Sequence, residues 1–506
     1  MSLFNETLLW LMKKRMPRIE AMYTRPHELQ EACLFHLLAE AKNTEWGKMY
    51  GYGFLKNYEQ FKSAVPISTY EEIFPYIDRM MKGEEQVLWG SPVSWFSKSS
   101  GTTNARSKFI PVSKESLADC HLMGGKDMIT LLVNSKPDTK VFEGKGLSIG
   151  GSLSGDPMNP SMLMGDVSAV VMKNLPIWAQ IIRTPSLDVA LMDDWDQKIE
   201  KMALETCQEN VTSILGVPTW TLVLIEKILE ITGKKSILDV WENFEFMIHG
   251  AVAFGPYREM FKKEVFQGKE VGFLEIYNAS EGFFGIQDDL TLPDELLLML
   301  DYGIFYEFIP VNEDGVEADK IVPLGEVELG INYALVISTN AGLWRYKIGD
   351  TVKFTSKYPY RIKITGRTKH FINAFGEEII IENAEQAISK ACLVTNSELK
   401  EYTAAPAFME GGKSGNHEWV IEFSKPPKDF STFAEILDQT LREINSDYDA
   451  KRSYNLVLGP PIIHIAPAGT FYSWMKERGK LGGQHKVPRL SNHREFVEGV
   501  KTHFKP

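Results

Sequence analysis

The stretch SSGTTNARSK, residues 99–108, sets the hydroxyls of Ser99, Ser100, Thr102 and Thr103 around Gly101 and follows them with Arg106 and Lys108. Hydroxyls and exposed backbone amides can wrap phosphate oxygens, and the two cations supply matching charge. This is not a Walker loop, whose second glycine stands directly before Lys and Ser/Thr and leads into a helix. The plainer alternative is a polar surface hairpin. A second motif, YNASEG, residues 277–282, follows the strand-like run 271–276. At the C-terminal end of a strand in an α/β sheet, a ring such as Tyr277 can stack on a base, and a carboxylate a few residues on, Glu281, can hold Mg²⁺ beside phosphates. The alternative there is a Tyr that caps a strand and a Glu that opens a helix. A third, LWRYKIGD, residues 343–350, ends a sheet segment in Asp350, which either accepts both ribose hydroxyls or is an ordinary turn aspartate.

A sheet is needed to present such groups. Residues 93–97 and 109–112 read as strands on either side of the first motif. Residues 25–42 read as an amphipathic helix, with Leu29, Cys33, Leu37 and Ala41 recurring every four positions and Leu34 and Leu38 widening the stripe. A helical segment over 187–207 precedes a buried strand over 211–217, closed by Pro218. Residues 325–354, rich in β-branched and aromatic side chains, should be mostly sheet. The chain turns polar around Thr365-Gly366-Arg367. Beyond it lies a smaller block: a helix from Glu382, strands on either side of Gly411-Gly412, and a helix over 431–445. The expected fold class is α/β, with a large multi-sheet N-terminal domain over 1–364 and a smaller α+β C-terminal domain over 365–506.

The 506 residues carry 55 Lys plus Arg against 67 Asp plus Glu, a balance of −12 that argues against a nucleic-acid partner, since such proteins gain affinity from a basic face. No apolar run approaches the roughly 18 residues that cross a bilayer, so no membrane association is expected. Residues 1–15 place their apolar stretch before Lys13, Lys14 and Arg15, the reverse of a secretory signal, and read as a helix. Four scattered cysteines without CxxC spacing indicate neither a zinc site nor a disulfide framework and fit a cytoplasmic protein. His121, His249 and His464 lie in mixed apolar segments and read as core groups, and Trp474 reads as packing.

Taken in order, SSGTTNARSK, YNASEG, RYKIGD and ITGRTKHFINAFGEEI (364–379) resemble the phosphate, adenine, ribose and hinge motifs of the adenylate-forming superfamily that includes firefly luciferase and acyl-CoA synthetases. Within it, VPISTYEEIFPYIDRM, SKFIPVS and GLWRYKIGD resemble the auxin-responsive Gretchen Hagen family of acyl acid amido synthetases, along essentially the whole chain. The spacing of the first motif, with Lys108 five residues after Thr103, matches that family's longer loop. The resemblance implies an adenylate-forming architecture and a ligase that uses ATP and Mg²⁺ to activate a carboxylic acid, then passes the acyl group to an amine, in the first instance an amino acid. Coenzyme A as acceptor is the alternative, and an ATP-binding protein without catalysis is a third. By position, Ser99, Ser100, Thr102, Thr103 and Lys108 would meet the phosphates. Ala251, Tyr277, Asn278, Ala279 and Ser280 would line the adenine and acyl-adenylate site, and Asp350 would hold the ribose. Glu281 would bind Mg²⁺, Arg367 would sit in the hinge, and Lys486 of QHKVPR would be the lysine that reaches the active site. Val217 and Trp220 would border the acyl pocket.

Overall fold

Helix Pro26–Ala41 shows how the largest core is assembled. Its buried stripe includes Leu34, Leu37, Leu38 and Ala41, and also Gln30, a polar residue that must be hydrogen-bonded at that depth. Gln30 donates to the carbonyls of Leu300 (3.0 Å) and Ile304 (2.9 Å) and accepts from the Tyr306 amide (2.9 Å), which pins the helix across a strand some 270 residues away.

The computed structural model describes residues 3–99, 108–155, 163–252, 254–312, 317–367, 371–408, 414–453, 457–478 and 487–504. They divide into two compact units, one drawn from residues up to 99 together with 108–368, the other from residue 369 onward. The first unit holds β1 (Trp95–Ser99), β2 (Lys108–Val112), β3 (Lys145–Ser148), β4 (Leu153–Gly155), β5 (Leu163–Gly165), β6 (Arg183–Thr184), β7 (Val211–Leu215) and β8 (Phe246–His249). It continues through β9 (Gly272–Ala279), β10 (Gly282–Ile286), β11 (Leu296–Leu298), β12 (Ile304–Val311), β13 (Val322–Pro323), β14 (Asn332–Thr339), β15 (Tyr346–Lys357) and β16 (Tyr360–Arg367).

A four-stranded sheet has the order β2-β1-β5-β4, and a twelve-stranded sheet the order β13-β12-β14-β15-β16-β11-β10-β9-β8-β7-β3-β6. In the large sheet β6, β3, β7, β8 and β9 run parallel, whereas β9 meets β10 antiparallel, so β9 is the seam between a parallel and an antiparallel half. Buried side chains line both faces of β8 and β10, as expected of strands covered on each side. The smaller unit is α+β: a two-stranded ribbon, β17 (Phe371–Ile372) and β18 (Ile379–Ile380), and a three-stranded sheet of β19 (Glu398–Ala407), β20 (Asn416–Lys425) and β21 (Ile462–Ala466), with helices Ile381–Thr395 and Phe430–Ile444. Its Glu377 carboxylate accepts from the Phe375 amide (2.6 Å) and pairs with His417 (2.7 Å), both fully buried.

Two expectations change. The helical segment over 187–207 is two helices, Leu187–Ala190 and Trp195–Thr206: the first ends at Leu191, and Asp194 caps the second, accepting from the Gln197 amide (2.9 Å). The run over 211–217 is strand only to Leu215: Val217 is the cap residue of helix Pro218–Thr232, with Pro218 in its first turn. No helix among the described residues is long and apolar enough to cross a membrane. All four cysteines are free thiols.

Candidate active site

Parallel strands put their ligand-binding loops at their carboxyl ends. In this sheet those ends are residues 149–151 after β3, 216–220 after β7, 250–251 after β8, and the last residues of β9 itself. Val217 and Trp220, Ala251, and Tyr277 to Ala279 therefore come to one edge of one sheet. Ala251 is exposed and holds φ = 69°, in the left-handed region that costs a residue with a Cβ about 1 kcal/mol or more, a strain that clusters at functional sites. Gly250 before it has no room for a side chain, since a Cβ would lie 2.5 Å from the Ile276 carbonyl oxygen. Trp220 meets Trp195 with ring centroids 4.0 Å apart.

YNASEG forms a hairpin. Ala279 faces Gly282 across β9 and β10, and Ser280 and Glu281 make the two-residue turn, so Glu281 does not open a helix. Three residues of the motif are tied to three different elements. The Tyr277 hydroxyl donates to Asp350 Oδ2 at 2.5 Å, with both residues buried, and joins the end of β9 to β15. Asn278 Oδ1 lies 3.3 Å from His121 Nδ1, and burial pushes His121 down to about 4, so the imidazole is neutral at physiological pH. Ser280 accepts from the Ser97 hydroxyl of β1 (3.0 Å). The π-helical turn Ser116–His121 that presents His121 also braces β10: Cys120 Sγ accepts from the Phe283 amide (3.1 Å). Nearby, Gly124 leaves space for the Phe283 ring, which a Cβ would approach to 2.4 Å.

β1 and β2 flank the phosphate motif as expected, with Ser99 opposite Lys108. Tyr70, in the first turn of helix Tyr70–Met81, accepts from the Phe109 amide at 2.7 Å, and its ring lies 5.4 Å from Lys108 Nζ. Burial pushes the Tyr70 hydroxyl up to about 12; the Phe109 amide opposes this, and the Glu71 and Glu281 carboxylates add to it. Lys108, Tyr70 and Glu281 thus share one neighbourhood. Asp350 stands directly opposite Arg367 in the β15–β16 ladder. Ser100, Thr102, Thr103 and Lys486 lie outside the described residues.

Lys198, which the sequence reading passed over, is buried on helix Trp195–Thr206 and donates to the carbonyls of Gly150 (2.5 Å) and Gly151 (3.0 Å). Burial pushes it down to about 8, with Asp166 and Asp193 opposing. It fastens the end of β3 beside Trp195. Tyr70 and His121 were likewise not singled out as site residues; their partners lie 39 and 157 residues away, and no local spacing announces them.

Three family models cover most of the chain: the GH3 family N-terminal domain over residues 15–271, the central domain over 297–367 and the C-terminal domain over 382–495. The chain belongs to the GH3 family. Indole-3-acetic acid-amido synthetase GH3.4 of Arabidopsis thaliana is 25% identical, over 97% of this chain and 95% of the relative. The 4-substituted benzoates-glutamate ligase GH3.12 of the same plant is 26% identical, over 88% and 89%. Among solved structures, the GH3.15 acyl acid amido synthetase in complex with 2,4-DB superposes with a TM-score of 0.63 at 20% identity, over 98% of this chain and 96% of that one. A 2-hydroxyisobutyryl-CoA ligase shares the fold more distantly, with a TM-score of 0.54 at 12% identity over 96% and 92%.

Proposed function

We propose that this protein is an ATP-dependent ligase that activates a carboxylic acid as acyl-AMP and transfers the acyl group to an amine, in the first instance an amino acid. The observation that carries the reading is the convergence of Tyr277 bonded to Asp350, Ser280, in the turn that carries Glu281, bonded to Ser97 of β1, and Lys108 over the Tyr70 ring. The family's named amido synthetases and ligases support it.

A carboxylate is a poor electrophile, so one of its oxygens first attacks the α-phosphorus of ATP and pyrophosphate leaves. The amine then attacks the activated carbonyl carbon, AMP leaves with its electron pair, and the nitrogen loses a proton. No nucleophilic side chain is needed. The protein's work is charge stabilisation and alignment. Asp350, braced by Tyr277, accepts from the ribose hydroxyls. Lys108 and Lys486 offset charge on the phosphates. Ser99, Ser100, Thr102 and Thr103 donate to phosphate oxygens, the backbone at Ala251 and at Tyr277 to Ser280 borders the base and the acyl group, and Arg367 serves the hinge.

The carboxylate of Glu281, in the turn between β9 and β10, fits Mg²⁺, which characteristically takes one or two carboxylates and fills its shell with phosphate oxygens and water. Glu281 is the carboxylate that would serve, and the ion would draw charge from the phosphates and favour departure of pyrophosphate.

Pyrophosphate release measured over a panel of carboxylic acids, with each amino acid or coenzyme A as acceptor, tests the reading. Acid-dependent release with an amide product supports it. A thioester as the sole product replaces the amine with coenzyme A, and no release with any acid removes the activity.

A further inference from the structure

β2 is the edge strand of its sheet, and an edge strand presents outward amides without ladder partners. One of these, the Phe109 amide, is satisfied by the Tyr70 hydroxyl at 2.7 Å. A hydroxyl that accepts one hydrogen bond keeps its own proton to donate. The face of the same ring stands 5.4 Å from the Lys108 ammonium, within cation–π range, and the Glu281 carboxylate is close enough to act on the hydroxyl.

Tyr70 is itself held firmly. Thr69 caps its helix, with its amide donating to Glu72 Oε2 (2.7 Å). Ser68 pairs by its backbone with β15, donating to the Arg345 carbonyl and accepting from the Lys347 amide, each at 2.9 Å. Its hydroxyl donates to the Trp344 carbonyl (2.7 Å). Arg345 is locked in turn by a buried ion pair with Glu307. One rigid segment therefore links the strand that carries Asp350 to the strand that carries Lys108.

We infer that Tyr70 is a positioning residue for the β- and γ-phosphates of ATP: it fixes Lys108, the first residue of β2, next to β1, whose Ser97 is bonded to the Ser280–Glu281 turn, and so sets the lysine relative to the proposed metal-binding carboxylate. The inference rests on the adenylation reading. It differs from a structural role in one measurable respect, because AMP has no β- or γ-phosphate and should be indifferent to Tyr70.

The test is calorimetric binding of ATP and of AMP, in Mg²⁺, to wild type, Tyr70→Phe, Tyr70→Leu and Lys108→Met. Tyr70→Phe keeps the ring and loses the hydroxyl, and ATP should bind roughly three- to tenfold more weakly, the worth of one ordinary hydrogen bond, with AMP unchanged. Tyr70→Leu should weaken ATP further and still spare AMP. In the double variant Tyr70→Leu/Lys108→Met the loss should be smaller than the product of the single losses, since both act through the same lysine. Equal weakening of ATP and AMP, or an unaltered ATP affinity in Tyr70→Leu, overturns the inference while leaving adenylation intact. A wild-type protein that binds neither nucleotide overturns both.

Discussion

The role of the buried Tyr277–Asp350 hydrogen bond can be tested by removing a single oxygen atom. Tyr277→Phe preserves the ring and its contact with Phe284 (centroids 4.9 Å apart) and deletes only the donor that meets Asp350 at 2.5 Å. Both residues are buried, at 6% and 9% exposure, so water replaces the donor poorly. A hydrogen bond to a charged group is worth about 1.5–3 kcal/mol. If roughly half of that was holding Asp350 ready for the ribose, ATP should bind roughly three- to twelvefold more weakly, at about 1.4 kcal/mol per decade. The assay compares ATP with 2′,3′-dideoxy-ATP, which has no ribose hydroxyl for Asp350 to accept from. Wild type should prefer ATP, and Tyr277→Phe should lose most of that preference while binding the dideoxy nucleotide as before. A variant that keeps the full preference, or loses both nucleotides equally, refutes the role given to this pair.

Glu281→Ala, at a half-buried turn position where truncation opens no core cavity, should cut acid-dependent pyrophosphate release on the order of a hundredfold or more with an unchanged circular dichroism spectrum; near wild-type release would leave Glu281 as a turn residue only. Lys486→Ala should slow adenylation far more than it weakens ATP binding, and comparable losses in the two would contradict a role in the transition state. Burial, with Asp294 adding to it and Arg258 and Lys363 opposing, pushes Glu275 up to about 7 from its ordinary 4.5. Between those two values the folded protein holds a proton that the unfolded chain has released, so stability falls as pH rises through this window and levels off above it. Glu275→Gln should therefore match wild type at pH 4 and exceed it at pH 8 by up to about 3 kcal/mol in urea denaturation; a gap that is flat with pH would show that Glu275 titrates normally.

The local elements of this fold are well written in the residues. The strands on either side of the motif at 99–108, the helix over Pro26–Ala41 and the α+β block after residue 369 each follow from periodicity or from turn residues nearby. What escapes is whatever depends on distant partners. The sequence offers Tyr277 and Asp350 as separate candidates, and only the meeting of β9 with β15 makes them a pair. Glu281 looks able to open a helix because the Ser-Glu turn lacks the Asn-Gly or Asp-Gly signature of a tight hairpin; only Gly282 just after it hints at a reversal. Gln30 is a polar residue in the buried stripe of its helix and looks like a surface residue until Leu300 and β12 supply its partners. Lys198 resembles an exposed lysine on a charged helix, yet two backbone carbonyls recruit it into the interior.

The long reach of Gln30 also bears on how the chain matures at the ribosome. Helix Pro26–Ala41 is made early, but its three hydrogen-bond partners, Leu300, Ile304 and Tyr306, are synthesised some 270 residues later, at least about 13 s at 5–20 residues per second. Through that interval its apolar stripe has no strand to cover it. The segment matched by the N-terminal family model ends at residue 271, before any of these partners, so that segment alone lacks the groups that satisfy Gln30. The nascent chain must shelter that helix, by a chaperone or by provisional contacts, until the antiparallel half of the sheet arrives.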